Sequence, residues 1–238
     1  MDTQLLLQVL ATASAVYLYN VPKATCLELL RSGPSAQHPL SHAQLVVMWA
    51  QASLWMAYGF ETLDFFPTLL TNAIGTTLCT FYLYTIVVTT HGLARNKILF
   101  WCITSLGVVW MTWQTRSPSI IGFMASMLNV ASTLPPLLEA KEIVRTKSAA
   151  LLSLPMAASA FICNALWLTY ASFYLNAPQM QVSNGLGALA SLMQIVLCVM
   201  YPVRRPPLSP KGAGSAGLET VDLENAPTDV TASLLHTE

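Results

Sequence analysis

The sequence predicts an all-α membrane protein. Seven transmembrane helices form two parallel triple-helix bundles, spans 1–3 and spans 5–7, joined by a linker helix, span 4. Three observations lead there. Of 238 residues, 54% are hydrophobic and only 9% are charged. Globular domains carry roughly 25% Asp, Glu, Lys and Arg to cover their surface, and the mean hydropathy here is +0.55. Seven apolar segments are long enough, or nearly so, to cross roughly 30 Å of hydrocarbon, which takes about 20 helical residues. Finally, one three-span unit occurs twice.

Span 1 covers about residues 4–30. Its apolar start, Leu5 to Tyr19, follows Asp2 with no Lys or Arg before it. The positive region of a signal peptide is missing, so this reads as a retained membrane helix. The other spans fall at about 40–59, 66–90, 97–113, 118–139, 149–173 and 181–201. This divides the chain into a first bundle at 1–92, a linker helix at 93–117, a second bundle at 118–203 and a tail at 204–238. The tail holds Pro206, Pro207, Pro210, Gly212, Gly214 and Gly217. Such a segment buries no core, and the reading is a disordered cytosolic tail.

Basic residues orient the spans. Threading seven helices puts Lys23, Arg31, Arg95, Lys97, Lys141, Arg145, Lys147, Arg204, Arg205 and Lys211 on one side, and only Arg116 on the other. The expectation is an N-terminus outside or lumenal and a C-terminus in the cytosol. The plasma membrane is the first expectation for residence, with the Golgi or another endomembrane as the alternative.

The repeat is visible by eye. Ser53-Leu54-Trp55-Met56-Ala57-Tyr58 matches Ala165-Leu166-Trp167-Leu168-Thr169-Tyr170, with Trp55 and Trp167 separated by 112 residues. Thr71-Asn72-Ala73-Ile74-Gly75 matches Ser183-Asn184-Gly185-Leu186-Gly187 at the same separation. Pro22 and Pro136, 114 apart, each stand seven residues before a Leu-Leu-Arg or Ile-Val-Arg stretch. Three spans end on the side opposite their start. A fourth crossing therefore returns the second unit to the orientation of the first, so the repeats are parallel about an axis along the membrane normal. Transporters built this way place substrate near midplane between the repeats.

Several function classes drop out. Net charge is zero, with 11 basic and 11 acidic residues, which leaves no broad basic surface for nucleic acid. Cys26, Cys79, Cys102, Cys163 and Cys198 form no CxxC pair, and read as small apolar residues. His38 and His42 have i,i+4 spacing but lack a third ligand, so neither metal nor cofactor is expected. No nucleophile–base or acid pair is placed in the bundle, so the chain is not read as an enzyme.

What the spans do contain is polar but uncharged. Asn72 and Asn184 are amides within apolar helices, where polar groups are costly and often functional. An amide donates and accepts at once, as a hydroxyl-rich neutral ligand requires. Trp55 and Trp167 offer flat faces for the apolar side of a sugar ring. The competing readings are helix packing for the asparagines and an interfacial belt for the tryptophans. Occurrence at matched repeat positions favours a site. Asn129 in span 5 reads equally as cavity lining or packing. Pro22, Pro136 and Pro155 lie within or beside membrane helices and are natural bending points or static kinks. No Asp, Glu, Lys or Arg lies at the midplane of any span, so a proton relay of the kind driven carriers use is missing.

On these residues the sequence resembles the SWEET family of sugar transporters, over about residues 5–203. The likeness is sharpest from Pro136 to Ser148, from Trp167 to Tyr170 and at Ser183–Gly187, and leans towards animal members. The resemblance implies bidirectional facilitated diffusion by alternating access, with substrate-binding roles for Asn72, Asn184, Trp55 and Trp167. It adds Gln51 and Cys163, one turn before each tryptophan, as residues that set substrate size. It makes Pro22, Pro136 and Pro155 hinges, while the fourth family hinge proline is replaced by Gln44. Gln51 is bulky, which favours a hexose such as glucose over a disaccharide. The expected partners are a small sugar and the lipid bilayer, with homo-oligomerisation left open. The alternatives are an amino-acid exporter of the PQ-loop type, or a seven-helix receptor of the same architecture.

Overall fold

A computed structural model describes residues 2–32, 41–149 and 152–202, and for 32 and 134–139 the backbone alone. The expected tail, with Arg204, Arg205 and Lys211, lies outside the described residues, as does His38. Regular structure among the described residues is helical: α1 Thr3–Asn20, α2 Lys23–Ser32, α3 His42–Glu61, α4 Leu70–Thr89, α5 Gly92–Gln114, α6 Pro118–Thr146, α7 Leu154–Tyr170 and α8 Pro178–Met200. Wider turns of five residues precede α4 at Phe65–Leu69 and follow α7 at Ala171–Leu175.

Local chemistry sets the ends. The Asp2 carboxylate accepts from the Gln4 amide and the Ser41 hydroxyl from the Gln44 amide, capping α1 and α3. Proline stands in the first turn of α6, α7 and α8, where its missing N–H costs nothing. Span 1 is broken at Val21–Pro22 into α1 and α2. Pro22 supplies no N–H to the Leu18 carbonyl, which instead accepts from the Val21 amide at 3.2 Å.

The two other nominated hinges sit differently. Pro155 is the second residue of α7, so it opens a helix rather than interrupting one. Span 6 accordingly begins at Leu154, later than hydropathy indicates. The α6 backbone stays helical past Pro136 and ends only at Thr146, with Lys147 left-handed (φ 54°) as its cap.

Thr3–Arg31, Phe65–Thr89, Leu154–Leu175 and Pro178–Met200 are long and apolar enough to cross a membrane on length and composition alone. The remaining long helices dilute their apolar content. α3 carries Gln44 and Gln51, α5 carries Arg95 and Lys97, and α6 carries Asn129 and Ser132. Large apolar side chains such as Phe100, Trp101 and Trp110 on α5 and Leu189 and Val199 on α8 point outward, the arrangement that lipid rather than water accommodates.

Packing repeats between the halves. α4 lies against both α1 and α3, and α8 lies against both α6 and α7. Across the middle, α1 meets α7 and α3 meets α6. Exchanging the halves maps each of these contacts onto the other, as a two-fold relation between repeats requires. α5 stands outside the symmetry and packs mainly on α3. Its end is pinned there: Glu61 Oε1 accepts from Arg116 Nη1 at 2.8 Å and from Trp113 Nε1 at 3.1 Å. The Arg116 guanidinium also lies 4.8 Å from the Trp113 ring centre.

Gly59 shows how tightly α3 closes on the following turn. A Cβ there would stand 2.7 Å from the Leu69 backbone nitrogen and 3.0 Å from its Cα. Backbone on both sides leaves no side chain to swing away. Gly59→Ala should therefore destabilise the fold by about 1–3 kcal/mol, the range for overpacking. A lowered melting temperature in detergent checks this; an unchanged one would mean the turn can shift freely.

Candidate functional site

Between the halves lies a cavity of about 220 Å³, far above the roughly 10–15 Å³ that one water needs. All six nominated binding residues line it: Gln51 and Trp55 from α3, Asn72 from α4, Cys163 and Trp167 from α7, and Asn184 from α8. Among the described residues, no Asp, Glu, Lys or Arg lines it. Along α3 it reaches from Trp55 back to Gln44 in the first turn, about 16 Å at 1.5 Å per residue.

The two asparagines are held alike. Asn72 Nδ2 donates to the Thr68 carbonyl and Asn184 Nδ2 to the Met180 carbonyl, both at 2.8 Å. Each amide is thus tied to the backbone four residues back, Asn72 to the turn that precedes α4 and Asn184 to the first turn of α8, which fixes its rotamer against the cavity. Asn72 Oδ1 also accepts from the Tyr19 hydroxyl at 3.1 Å. Both asparagines are buried, at 7% and 9% exposure.

The tryptophans are buried too, and each leans on the tyrosine one turn later. The Trp55 and Tyr58 rings stand edge-on at 5.4 Å and 81°, and Trp167 and Tyr170 at 6.1 Å and 87°. An indole wedged edge-on against a second ring keeps its orientation, and burial places both indoles inside the protein rather than on its rim. Gln51 reaches across the halves, donating from Nε2 to Asn129 Oδ1 at 3.2 Å. Asn129, ambiguous in the sequence, lines the cavity.

Beyond the tryptophans, towards the Arg116 end, the halves are joined. Tyr170 in the second half donates its hydroxyl to Asp64 Oδ1 in the first at 3.0 Å, and Thr68 donates to the other carboxylate oxygen. Tyr58, Ile121, Tyr170 and Ala171 pack around this point, all buried. The cavity therefore extends towards the end rich in basic residues and is covered at the opposite end.

Sequence reasoning missed Tyr19, Asn164 and Ser132 as lining residues. Asn164 has Ala52 at its repeat position, so comparing halves could not single it out. The signal available was an amide in the turn before Trp167. Pro22 follows Tyr19 by three residues; it shapes the wall without facing the cavity.

Fold and cavity define the class: a helical membrane protein of two parallel three-helix repeats around an uncharged, amide-lined cleft. Comparison with known proteins finds chains similar to this one. A family model described as "sugar efflux transporter for intercellular exchange" matches residues 119–206. The sugar transporter SWEET1 of Drosophila pseudoobscura pseudoobscura is 26% identical over 209 residues, covering 84% of this chain and 90% of the relative. The Caenorhabditis elegans protein of the same name is 22% identical, covering 87% and 70%. The Mus musculus one is 28% identical, covering 62% and 69%. A solved eukaryotic SWEET transporter shares the fold with a TM-score of 0.70 at 16% identity, covering 83% of this chain and 96% of that one. The chain is thus similar in sequence to proteins named as SWEET sugar transporters, animal ones among them, and shares its fold with a solved one.

Proposed function

We propose that this chain is a facilitative, bidirectional sugar transporter, a uniporter for a hexose such as glucose. It works by alternating access between its two three-helix repeats. The observation that carries this reading is the matched set Asn72, Asn184, Trp55 and Trp167 around one uncharged cavity between the halves. Amides satisfy hydroxyls in either sense, and indole faces cover the C–H surface of a ring. The relatives named as sugar transporters support the same substrate class.

Substrate-binding roles go to Asn72, Asn184, Trp55 and Trp167, with Gln51 and Cys163 narrowing the space. The Gln51–Asn129 bridge takes up room that a second sugar ring would need. Pro22, and by the resemblance Pro136 and Pro155, serve as hinges. With the basic end in the cytosol, the cavity faces inward and the Asp64–Tyr170 contact closes the outer side. A ligand binding both conformations lets the halves exchange access and moves down its own gradient in either direction. We place the N-terminus outside and the protein in the plasma membrane.

Labelled-sugar uptake into proteoliposomes tests this. Glucose should enter at the same rate with and without a pH gradient, because no Asp, Glu, His, Lys or Arg lines the cavity among the described residues. Sucrose should enter about tenfold more slowly, the discrimination a size-restricted pocket can reach. Uptake that needs a proton gradient contradicts uniport and favours an exporter of the PQ-loop type. Equal rates for the two sugars contradict the hexose preference.

A further inference from the structure

We infer that Tyr19 is a positioning residue that couples occupancy of the cavity to bending of the first span; this rests on the transport reading above. Tyr19 belongs to the hinge and to the site at once. Its backbone lies in the last turn of α1, next to the break at Val21–Pro22. There its carbonyl accepts from the Tyr82 hydroxyl at 2.8 Å. Tyr82 is fully buried in α4. The ring of the same tyrosine reaches the cavity, where its hydroxyl donates to Asn72 Oδ1 at 3.1 Å.

Both contacts come from one helix. Asn72 and Tyr82 are ten residues apart on α4, about 15 Å along its axis. α4 therefore holds Tyr19 by its carbonyl and by its phenol. Gly75 makes the seat: a Cβ at that position would stand 2.5 Å from the Tyr19 ring, so a larger residue would push the phenol off Asn72.

The consequence for a bound sugar is direct. One Asn72 Nδ2 hydrogen is tied to Thr68 and one Oδ1 lone pair is taken by the Tyr19 phenol, so a sugar hydroxyl meets the remaining hydrogen and lone pair directly beside that phenol. A sugar seated on this amide shares its oxygen with the Tyr19 hydroxyl and crowds the ring, which shifts as the sugar arrives. The ring is rigid and short. Its shift moves the Tyr19 carbonyl against Tyr82, beside a stretch where the proline has already removed a helical hydrogen bond.

The second half has no equivalent. The 114-residue spacing puts Thr133 at the position of Tyr19, and its hydroxyl donates to the Val130 carbonyl in its own helix at 2.7 Å. The 112-residue spacing puts Gln194 at the position of Tyr82. Gly187, the mate of Gly75, faces Asn164 instead of a ring. The coupling thus belongs to the first half alone.

The test uses the full chain in proteoliposomes with glucose as the probe. It compares the parent with Tyr19→Phe and Tyr82→Phe, reading uptake kinetics and hydrogen–deuterium exchange of residues 21–27. In the parent, glucose should change exchange across 21–27. Tyr19→Phe should lose that change and lower the maximal rate about tenfold, with KM within about threefold of the parent. Tyr82→Phe should raise exchange across 21–27 before any sugar is added. If Tyr19→Phe keeps the glucose-induced change, or if Tyr82→Phe leaves exchange at the parent level, the coupling is overturned; the second arm decides alone if the first variant fails to insert. A parent that neither takes up glucose nor responds in exchange removes the transport reading and the coupling with it. A parent that does both, beside a Tyr19→Phe that behaves identically, removes the coupling only.

Discussion

Replacing either cavity asparagine with alanine is expected to lower glucose uptake about tenfold to a hundredfold. The magnitude follows from hydrogen bonding in a site sheltered from water, where removing a partner and leaving a group unsatisfied costs about 1–3 kcal/mol, and each 1.4 kcal/mol is tenfold. The two substitutions should differ in kind. Asn72→Ala also leaves the Tyr19 hydroxyl without its acceptor, so it should lower thermal stability as well as uptake. Asn184 donates within its own helix, to Met180, and its loss should fall on transport with a smaller change in melting temperature. Uptake in proteoliposomes beside a thermal melt of each variant separates the two costs. Parent-like uptake in both variants would remove these amides from the site.

Tyr170→Phe is expected to loosen the covered end of the cavity and shift the resting conformation. The lost bond links the halves and runs to a carboxylate, a class worth about 1.5–3 kcal/mol. Released from one conformation only, that energy changes the ratio of the two conformations about tenfold to a hundredfold. Phenylalanine keeps the edge-on contact with Trp167, so the loss is confined to the tether. Cys163 lines the cavity and serves as the reporter. A membrane-impermeant thiol reagent added at the Arg116 side should modify it faster in Tyr170→Phe than in the parent. Equal rates would mean that Asp64 and Tyr170 do not hold that end shut.

What could be read in the sequence follows from where its chemistry is symmetric. Asn72 with Asn184, and Trp55 with Trp167, carry the same group at both repeat positions, so comparing halves singles them out and the fold brings all four to one cavity. Gln51 and Cys163 are unlike each other and came only through the resemblance. Tyr19 and Asn164 have Thr133 and Ala52 as mates, and no comparison of halves finds a residue that works on one side alone. An aromatic near the end of an apolar helix reads as a membrane anchor until its hydrogen bond to Asn72 is seen. Asp64 and Tyr170 are 106 residues apart, and their pairing exists only once the halves have docked. Helix starts were misjudged for a local reason: residues 149–153 are as apolar as the span they precede, while the helix waits for Leu154 and its first-turn proline. The break at Pro22 was legible because a missing N–H is a property of the residue itself.

The most direct test of the central claim, that two like halves enclose a cleft which carries a neutral sugar unaided, is solute counterflow. Proteoliposomes are loaded with unlabelled glucose and diluted into tracer glucose with no ion gradient. The account predicts that tracer rises transiently above its equilibrium level through the parent protein and fails to do so through Asn72→Ala. Tracer entering only at the leak of protein-free vesicles, or accumulating only when a pH gradient is imposed, would contradict it.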